Sequence, residues 1–337
     1  MSTKVENISS SFVWARIHSL MGLGIVLYLI EHLTTNSMAA LWVGEDGVGF
    51  IRMVNFLHGL PYLHVLEVGL IGVPLAFHAV LGIKYAIKSK LNTIGSDGKS
   101  PSMKHGRNHA FSWQRITSFI LLIGIILHVI EFRFLHYPIA AKDNKQTYYL
   151  TRVDMDKGLY TLSDRLNVRL FNSDAIANEK NSLAALSSKM SLVDQKLKEM
   201  QSKEHFKTAV EFNPESASIY NSVQRFKEKT QWVNALEQRD ISNFQVIAVC
   251  ENFGTATLLN VRNIFRSPIM GGFYSLFVLA AVFHAFNGLW TLLLTWGVIL
   301  KMGSQKTFAK ICVALMVIFG FLGLAAIWGS YWINLRS

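Results

Sequence analysis

The chain has 337 residues, of which 51% are hydrophobic, and a formal net charge of +11 at pH 7. Cysteine is nearly absent, with Cys250 and Cys312 alone, so a cysteine-ligated iron–sulfur cluster, a zinc ribbon and a covalent c-type haem within this chain are excluded. No Gly-x-Gly-x-x-Gly turn follows a strand pattern, so there is no sign of a nucleotide or flavin domain.

The apolar residues are gathered into long blocks rather than spread with the periodicity of a soluble domain. A helix needs about 20 apolar residues to cross a bilayer, and five runs are long enough: 12–36, 61–87, 112–137, 268–300 and 307–334. The first run is too long for a cleavable signal peptide and has no small-residue cleavage site, so we expect it to stay as a signal anchor. The sequence predicts an all-α integral membrane protein with five transmembrane helices.

Basic residues in the short loops predict the orientation, because cationic segments stay on the cytoplasmic side. The first loop has only Arg52, against Glu45 and Asp46, and should lie outside. The second-to-third and fourth-to-fifth connections should be cytoplasmic, and their basic residues are Lys84, Lys88, Lys90, Lys99, Lys104 and Arg107, and Lys301, Lys306 and Lys310. We expect a bacterial cytoplasmic (inner) membrane protein with a cytoplasmic N-terminus. Topology and a docking surface explain the net charge better than nucleic-acid binding.

The connection between the third and fourth spans is long, has mixed charge and contains no spanning segment. The sequence therefore divides into transmembrane helices I–III (1–137), an outer-face insertion (138–267) and transmembrane helices IV–V (268–337). In the insertion, residues 148–153 and 159–162 have strand patterns on either side of a turn, which predicts a β-hairpin with Gly158 at a positive φ.

A small helical hairpin is expected after this turn. The apolar residues of its first helix alternate steps of three and four, and they are Leu183, Leu186, Met190, Val193, Leu197 and Met200. Residues 213–216 (Asn-Pro-Glu-Ser) break the pattern. The apolar residues that predict a returning helix are Val223, Phe226, Val233 and Leu236. Nothing in the insertion has metal-ligand spacing, so we expect no chemistry there.

Two apolar runs repeat one phrase, Phe-His-Ala-Val-Leu-Gly at 77–82 and Phe-His-Ala-Phe-Asn-Gly at 283–288. A histidine in hydrocarbon is costly and marks a functional site by default. A second echo relates Phe-Val-Trp-Ala-Arg-Ile-His-Ser at 12–19 to Phe-Ser-Trp-Gln-Arg-Ile-Thr-Ser at 111–118. The membrane part therefore reads as two similar helix pairs.

Four histidines fall at two depths of the bundle. At about 1.5 Å rise per residue, His32 and His128 lie nearer the outer ends of their helices, whereas His78 and His284 lie deeper. The two levels are separated by roughly 10–20 Å. Each level takes one histidine from each of two helices, as two stacked haems with neutral imidazoles on both iron faces require. The first four helices are therefore expected to form a di-haem bundle.

Four further residues are candidates for holding the porphyrins. Arg16 and Arg115, at the cytoplasmic ends of helices I and III, could pair with haem propionates, although topology anchoring explains them equally well. Gly82 and Gly288 follow their histidines by four residues and so lie on the same helical face, where a porphyrin edge could approach the backbone.

A competing arrangement uses two intervals of fourteen residues, because cytochromes of the bc type carry two histidines at about that interval on each of two helices. The intervals are His18 to His32 and His64 to His78. In that arrangement the histidines of helices III and IV would have no role. Outside that arrangement, six histidines are expected to be solvated rather than ligating, and they are His58, His64, His105, His109, His136 and His205.

The motifs resemble the cytochrome b subunit of succinate:quinone oxidoreductases, in the single-chain, two-haem, five-helix form of the succinate dehydrogenase cytochrome b558 type. The matching phrases lie at 16–20, 29–33, 66–67, 74–80, 128–131 and 283–290. The resemblance covers about residues 12–137 and 243–334, and the combination is specific although each phrase alone is not.

The resemblance implies that His78 and His284 hold an inner haem b and His32 and His128 an outer one. It also implies partners, namely a flavoprotein subunit that oxidises succinate and an iron–sulfur subunit on the cytoplasmic face, with menaquinone or a similar quinone as acceptor. This chain would then be the non-flavin subunit of the tricarboxylic acid cycle enzyme. Quinone reduction needs proton donors beside an apolar slot, and the candidates at suitable depth are His64, Glu67, Glu131 and Arg133.

The chain departs from the family pattern at two places. The insertion from about 140 to 241 is absent from the usual short loop. A glutamate two residues before the fourth ligand, proposed to carry protons in some fumarate-reducing members, is replaced by Val282. The open alternatives are a di-haem anchor for another dehydrogenase, such as a hydrogenase or formate enzyme, a bc-type cytochrome b, and a purely structural scaffold.

Overall fold

The computed structural model describes residues 9–88, 106–201 and 214–336. They form two compact units. The membrane unit consists of Met1–Phe132 and Phe265–Asn334, and the insertion unit consists of Arg133–Ile264 and Leu335–Ser337. The helices are α1 (Ser10–Leu41), α2 (Val48–His58), α3 (Leu63–Lys88), α4 (Gly106–Val129), α5 (Lys157–Arg165), α6 (Ser173–Gln201), α7 (Pro214–Glu237), α8 (Phe253–Phe265), α9 (Pro268–Thr295) and α10 (Met302–Leu324). The strands are β1 (Ile139–Asp143), β2 (Gln146–Asp154), β3 (Arg169–Phe171) and β4 (Gln245–Cys250).

Within the described residues, five helices are long and apolar enough to cross a membrane, which confirms the predicted fold class. They are α1, α3, α4, α9 and α10, of which α4 continues through Ile130–Leu135 and α10 through Ala325–Asn334. Both continuations are π-helical, as is Glu67–Gly72 within α3. Pro74 explains the π-helical turn in α3, because proline lacks the N–H that would continue the α-helical pattern, and Val73 N–H bonds to the Val68 carbonyl instead.

Helix α1 packs against α3, α9 and α10, whereas α4 packs against α9. The buried side chains shared by α1, α9 and α10 are Val26, Leu33, Val282, Ala285, Phe286 and Cys312. Gly124 allows α4 to approach α9 closely, because a Cβ there would lie 2.4 Å from the Phe277 ring. The first and third spans thus meet the fourth at short range.

The insertion contains a four-stranded antiparallel sheet in the order β1-β2-β4-β3. Its hairpin joins β1 to β2 through Asn144 and Lys145, both in the left-handed region with φ of 48° and 70°. Two successive residues at positive φ match the twist of the flanking strands in a two-residue hairpin.

The predicted second strand, 159–162, is wrong, because these residues lie in α5. The Asp156 carboxylate caps this helix by accepting from the Leu159 N–H at 2.9 Å. Leu159 and Leu162, three apart, are fully buried on one helical face. Gly158 is a buried helical residue and is not among the described residues with positive φ.

The helical hairpin is confirmed, since α6 and α7 pack together and α7 begins at Pro214. Ion pairs join Lys180 to Glu237 at 2.8 Å and Lys229 to Glu179. Leu183 and Leu186 are half-buried between exposed neighbours, Met190 is half-buried, and Val233 and Leu236 are buried. The side chains of Val193, Leu197 and Met200 lie outside the described part. The boundaries at 137/138 and 267/268 stay a prediction.

Arg262 carries a buried charge in the insertion unit and is 1% exposed. Its guanidinium donates to both carboxylate oxygens of Asp156, at 2.8 and 2.7 Å, and to the Leu335 carbonyl at 2.6 Å. The two-pronged ion pair supplies the hydrogen bonds that a charge excluded from water needs. Helix α5, helix α8 and the chain end are therefore held at one point.

We expect Arg262→Met to lower the stability of the insertion by about 3–5 kcal/mol, because it leaves the Asp156 carboxylate without its buried partner. Lys180→Met, which breaks an exposed pair, should cost only about 0–1 kcal/mol. Limited proteolysis of the full-length protein in detergent, scored between residues 133 and 264, measures the effect. Equal protection of the two variants would contradict the role given to Arg262.

Candidate haem-binding site

Four half-buried histidines of the membrane unit form two pairs. We name His78 and His284 the inner pair and His32 and His128 the outer pair, after the predicted orientation. The ring centroids are 6.2 Å apart in the inner pair and 5.9 Å apart in the outer pair, with interplanar angles of 84° and 86°. The structure therefore brings together the partners that the depth argument predicted.

The His78 ring is held by α1. Its Nδ1 lies 3.0 Å from the His18 carbonyl oxygen, and the two rings stack at 4.0 Å between centroids. A carbonyl only accepts, so His78 Nδ1 carries the proton, and the lone pair of its neutral imidazole is on Nε2. Gly22 permits the approach, because a Cβ there would lie 3.0 Å from His78 Cε1.

His284 is held by α4 in a similar way. Thr117 donates to the Trp113 carbonyl at 2.7 Å, so its oxygen is left to accept from His284 Nδ1, 3.3 Å away. Gln114 Nε2 donates to the His284 carbonyl at 3.1 Å, and Asn287 Nδ2 donates to Gln114 Oε1 at 2.7 Å. His284 therefore also keeps its Nε2 lone pair available.

The outer pair has aromatic surroundings. The Tyr28 hydroxyl lies 3.3 Å from His32 Nδ1, and the His128 ring lies 5.1 to 5.9 Å from the rings of Phe132, Tyr274 and Phe277. His128 Nδ1 is buried without a hydrogen-bond partner in the described part of the chain. Burying a polar nitrogen without a hydrogen bond costs free energy, and a ligand bound beside His128 would change these surroundings.

The donor set fits haem b. Two imidazoles on opposite faces of one metal ion have centroids about 6 Å apart, since metal–nitrogen bonds are about 2 Å long, and both pairs match this separation. No group of three or more histidine, cysteine or acidic side chains that could hold a metal ion occurs among the described residues. Sites with only two protein ligands are what axial haem ligation requires.

The two arginines and two glycines predicted to hold the porphyrins have different surroundings. Arg16 donates to the Thr295 carbonyl at 3.2 Å and stacks on the Phe12 ring at 3.4 Å, whereas Arg115 is half-buried on α4. A Cβ on Gly82 would lie 3.6 Å from His18 Nε2, and one on Gly288 would lie 3.7 Å from Gln114 Nε2. Both glycines thus face residues that hold the inner pair, at ordinary van der Waals distance.

The fourteen-residue intervals do not place histidines in suitable pairs. His18 stacks face to face on His78 at 4.0 Å, which leaves no room for an iron between the rings. The His64 side chain is 77% exposed and lies 3.3 Å from Glu67. His58 and His136 are half-buried and His109 is exposed, whereas His105 and His205 lie outside the described residues.

The quinone candidates have different partners. His64 and Glu67 pair on α3, and Glu67 interacts electrostatically with Tyr28. Glu131 interacts in the same way with Tyr274. Arg133 belongs to the other unit, where its guanidinium lies 4.5 Å from the Tyr137 ring.

Sequence analysis missed the residues that orient the inner pair, namely Gly22, Gln114, Thr117, Asn287 and the His18 carbonyl. The sequence repeat at 12–19 and 111–118 contained the signal for two of them. His18 and Thr117 occupy the same position in the two related phrases, and each fixes Nδ1 of a histidine from the repeated Phe-His-Ala phrase.

The described residues thus contain five helices long and apolar enough to span a membrane, and four imidazoles of these helices lie in two facing pairs. Over 317 residues the chain is 23% identical to the succinate dehydrogenase cytochrome b558 subunit of Bacillus subtilis (strain 168), an alignment that covers 94% of this chain and 95% of that protein. This similarity confirms the resemblance drawn from the motifs. No family model matches the chain, and no solved structure matches it.

Gln114→Leu should lower haem retention at the inner pair by about tenfold, because it removes the bond to the carbonyl that fixes the backbone of His284, and outer-shell partners of a metal ligand typically change metal affinity by 10–100-fold. The midpoint potential of one haem should also shift, whereas a purely structural defect would lower haem content without moving it. Gln305→Leu, the same change on α10 where the side chain donates to the Leu300 carbonyl, is the matched control. Identical redox titrations of the two variants would contradict the orienting role.

Proposed function

We propose that this protein is the membrane-anchor cytochrome b subunit of a succinate:quinone oxidoreductase. The observation that carries the proposal is the presence of two histidine pairs at the separation of axial haem ligands, on five helices similar to a named cytochrome b558 subunit. In this role the chain relays electrons from a cytoplasmic iron–sulfur subunit to menaquinone or a similar quinone. Succinate oxidation belongs to the partner flavoprotein.

The residues of the inner pair would receive one haem b and those of the outer pair a second. When bound, haem b supplies reversible one-electron oxidation and reduction of its iron. The protein supplies neutral imidazoles of fixed tautomer, through the His18 carbonyl and Thr117, and an apolar surrounding that excludes water.

Helix α1 sets the separation of the two levels. His18 lies at the inner pair and His32 belongs to the outer pair, so fourteen residues of one continuous helix span both. At 1.5 Å per residue this is about 21 Å along the axis. The basic residues of this side, including Lys84 and Lys88 in the last turns of α3, support a docking surface for the partner subunits on the side nearer the inner pair.

The proposal includes quinone reduction beside the outer pair. Tyr28 contacts His32, and Tyr274 contacts His128. Each tyrosine interacts with a carboxylate, Glu67 or Glu131. Acidic groups next to the terminal electron carrier can deliver the protons that quinol formation needs. His64, exposed and paired with Glu67, connects this region to the aqueous side, whereas Arg133 is supported by depth alone.

His32→Ala or His128→Ala should remove the outer haem and leave the inner one, because only the outer iron would lose an axial ligand. The haem-to-protein ratio of the purified protein should fall by about half, with a reduced-minus-oxidised spectrum still present. His109→Ala, an exposed histidine at the start of α4, should leave the ratio unchanged. Survival of the full haem signal in either ligand variant would refute the assignment.

Co-purification separates succinate oxidation from the alternatives. Affinity isolation of the tagged full-length chain from its native membrane should bring down a flavoprotein with succinate-dependent quinone reduction. A hydrogenase or formate-oxidising activity in the isolated complex would instead support a di-haem anchor for another dehydrogenase. Absence of a haem spectrum would leave only a structural scaffold.

A further inference from the structure

We infer that Arg152 and Arg239 of the insertion, with Arg133, form a binding site for the phosphate group of an anionic glycerophospholipid. The site lies where the chain leaves the third span, around Tyr137. It is independent of the haem ligands and goes beyond the proposed electron transfer.

Tyr137 contacts two of the three arginines, and the third bonds to the residue after Arg239. Arg239 Nη2 donates to the Tyr137 carbonyl at 2.6 Å, and the Arg133 guanidinium lies 4.5 Å from the Tyr137 ring centroid. Arg152 donates from Nη1 to the carbonyl of Asp240, the residue after Arg239, at 2.9 Å. All of these residues belong to the insertion unit.

The charges of Arg152 and Arg239 are not compensated. Neither has a carboxylate within ion-pair distance among the described residues, and Arg239 Nη1 is buried without a hydrogen-bond partner. Burial, and secondarily the charge of Arg152, lower the pKa of Arg239. Two adjacent cations with an unused donor favour an anion that can accept several charge-assisted hydrogen bonds, and phosphate suits the arginine fork.

The depth of the site favours a lipid as the source of that phosphate. Arg133 lies in the last turn of the third candidate span, which ends at Leu135, and Tyr137 follows two residues later. Aromatic and basic residues at a span end lie at headgroup level. A lipid phosphodiester is always present at that depth, whereas a free phosphate must be recruited from solution.

Native mass spectrometry of the full-length protein in detergent tests this site by titration with phosphatidylglycerol. Arg152→Gln and Arg239→Gln should each weaken binding about tenfold, because one charge-assisted hydrogen-bonding group is lost. Arg225→Gln on α7, where the side chain is exposed, is the matched control and should leave binding unchanged. Phosphatidylcholine, whose headgroup is neutral overall, should bind more weakly to the unmodified protein.

Equal phosphatidylglycerol binding by Arg152→Gln and Arg225→Gln would overturn the site. Displacement of the lipid by millimolar inorganic phosphate would overturn the lipid as its ligand and assign the site to a free anion. If Arg239→Gln does not fold, Arg152→Gln together with Arg239→Lys, which keeps the charge but not the fork, gives the same comparison.

Discussion

The membrane unit depends on how polar imidazoles are accommodated between apolar helices. Each inner histidine needs an acceptor for its Nδ1 proton, because an unpaired N–H in this environment is costly. The His18 carbonyl and the Thr117 hydroxyl supply the acceptors. Satisfying Nδ1 also determines where the lone pair lies, so the hydrogen bond that permits burial is also the one that leaves the Nε2 lone pair available.

This arrangement relies on small side chains at helix crossings. The His78 ring reaches the His18 carbonyl only because Gly22 has no Cβ, and α4 reaches α9 through Gly124. The outward-facing positions of the spans carry larger apolar side chains instead, and Leu27, Val80 and Val317 are each more than 60% exposed. Between helices, backbone approach and hydrogen bonding take the place of the hydrophobic effect as the source of specificity.

The five spans and the histidine pairs could be predicted from the sequence, because apolar length and helical rise are local properties. The helical hairpin could also be predicted from the spacing of Leu183 and Leu186. The strand at 159–162 could not, since Asp156 both caps α5 and pairs with Arg262, which lies 106 residues later. The true hairpin turn at Asn144 and Lys145 lacks the glycine that usually identifies a turn with two residues at positive φ.

The sequence repeat at 12–19 and 111–118 corresponds to a repeated set of contacts. In both phrases the serine hydroxyl donates to the arginine carbonyl three residues earlier, at 2.9 Å for Ser19 and 2.7 Å for Ser118. The residue directly before this serine contacts a histidine of a neighbouring helix in each case. His18 does so through its backbone carbonyl and Thr117 through its side-chain hydroxyl. Two helix pairs of common pattern therefore reach one geometry with different residues. For that reason alignment of the two segments reveals the position that orients each histidine but not the chemical group that does so.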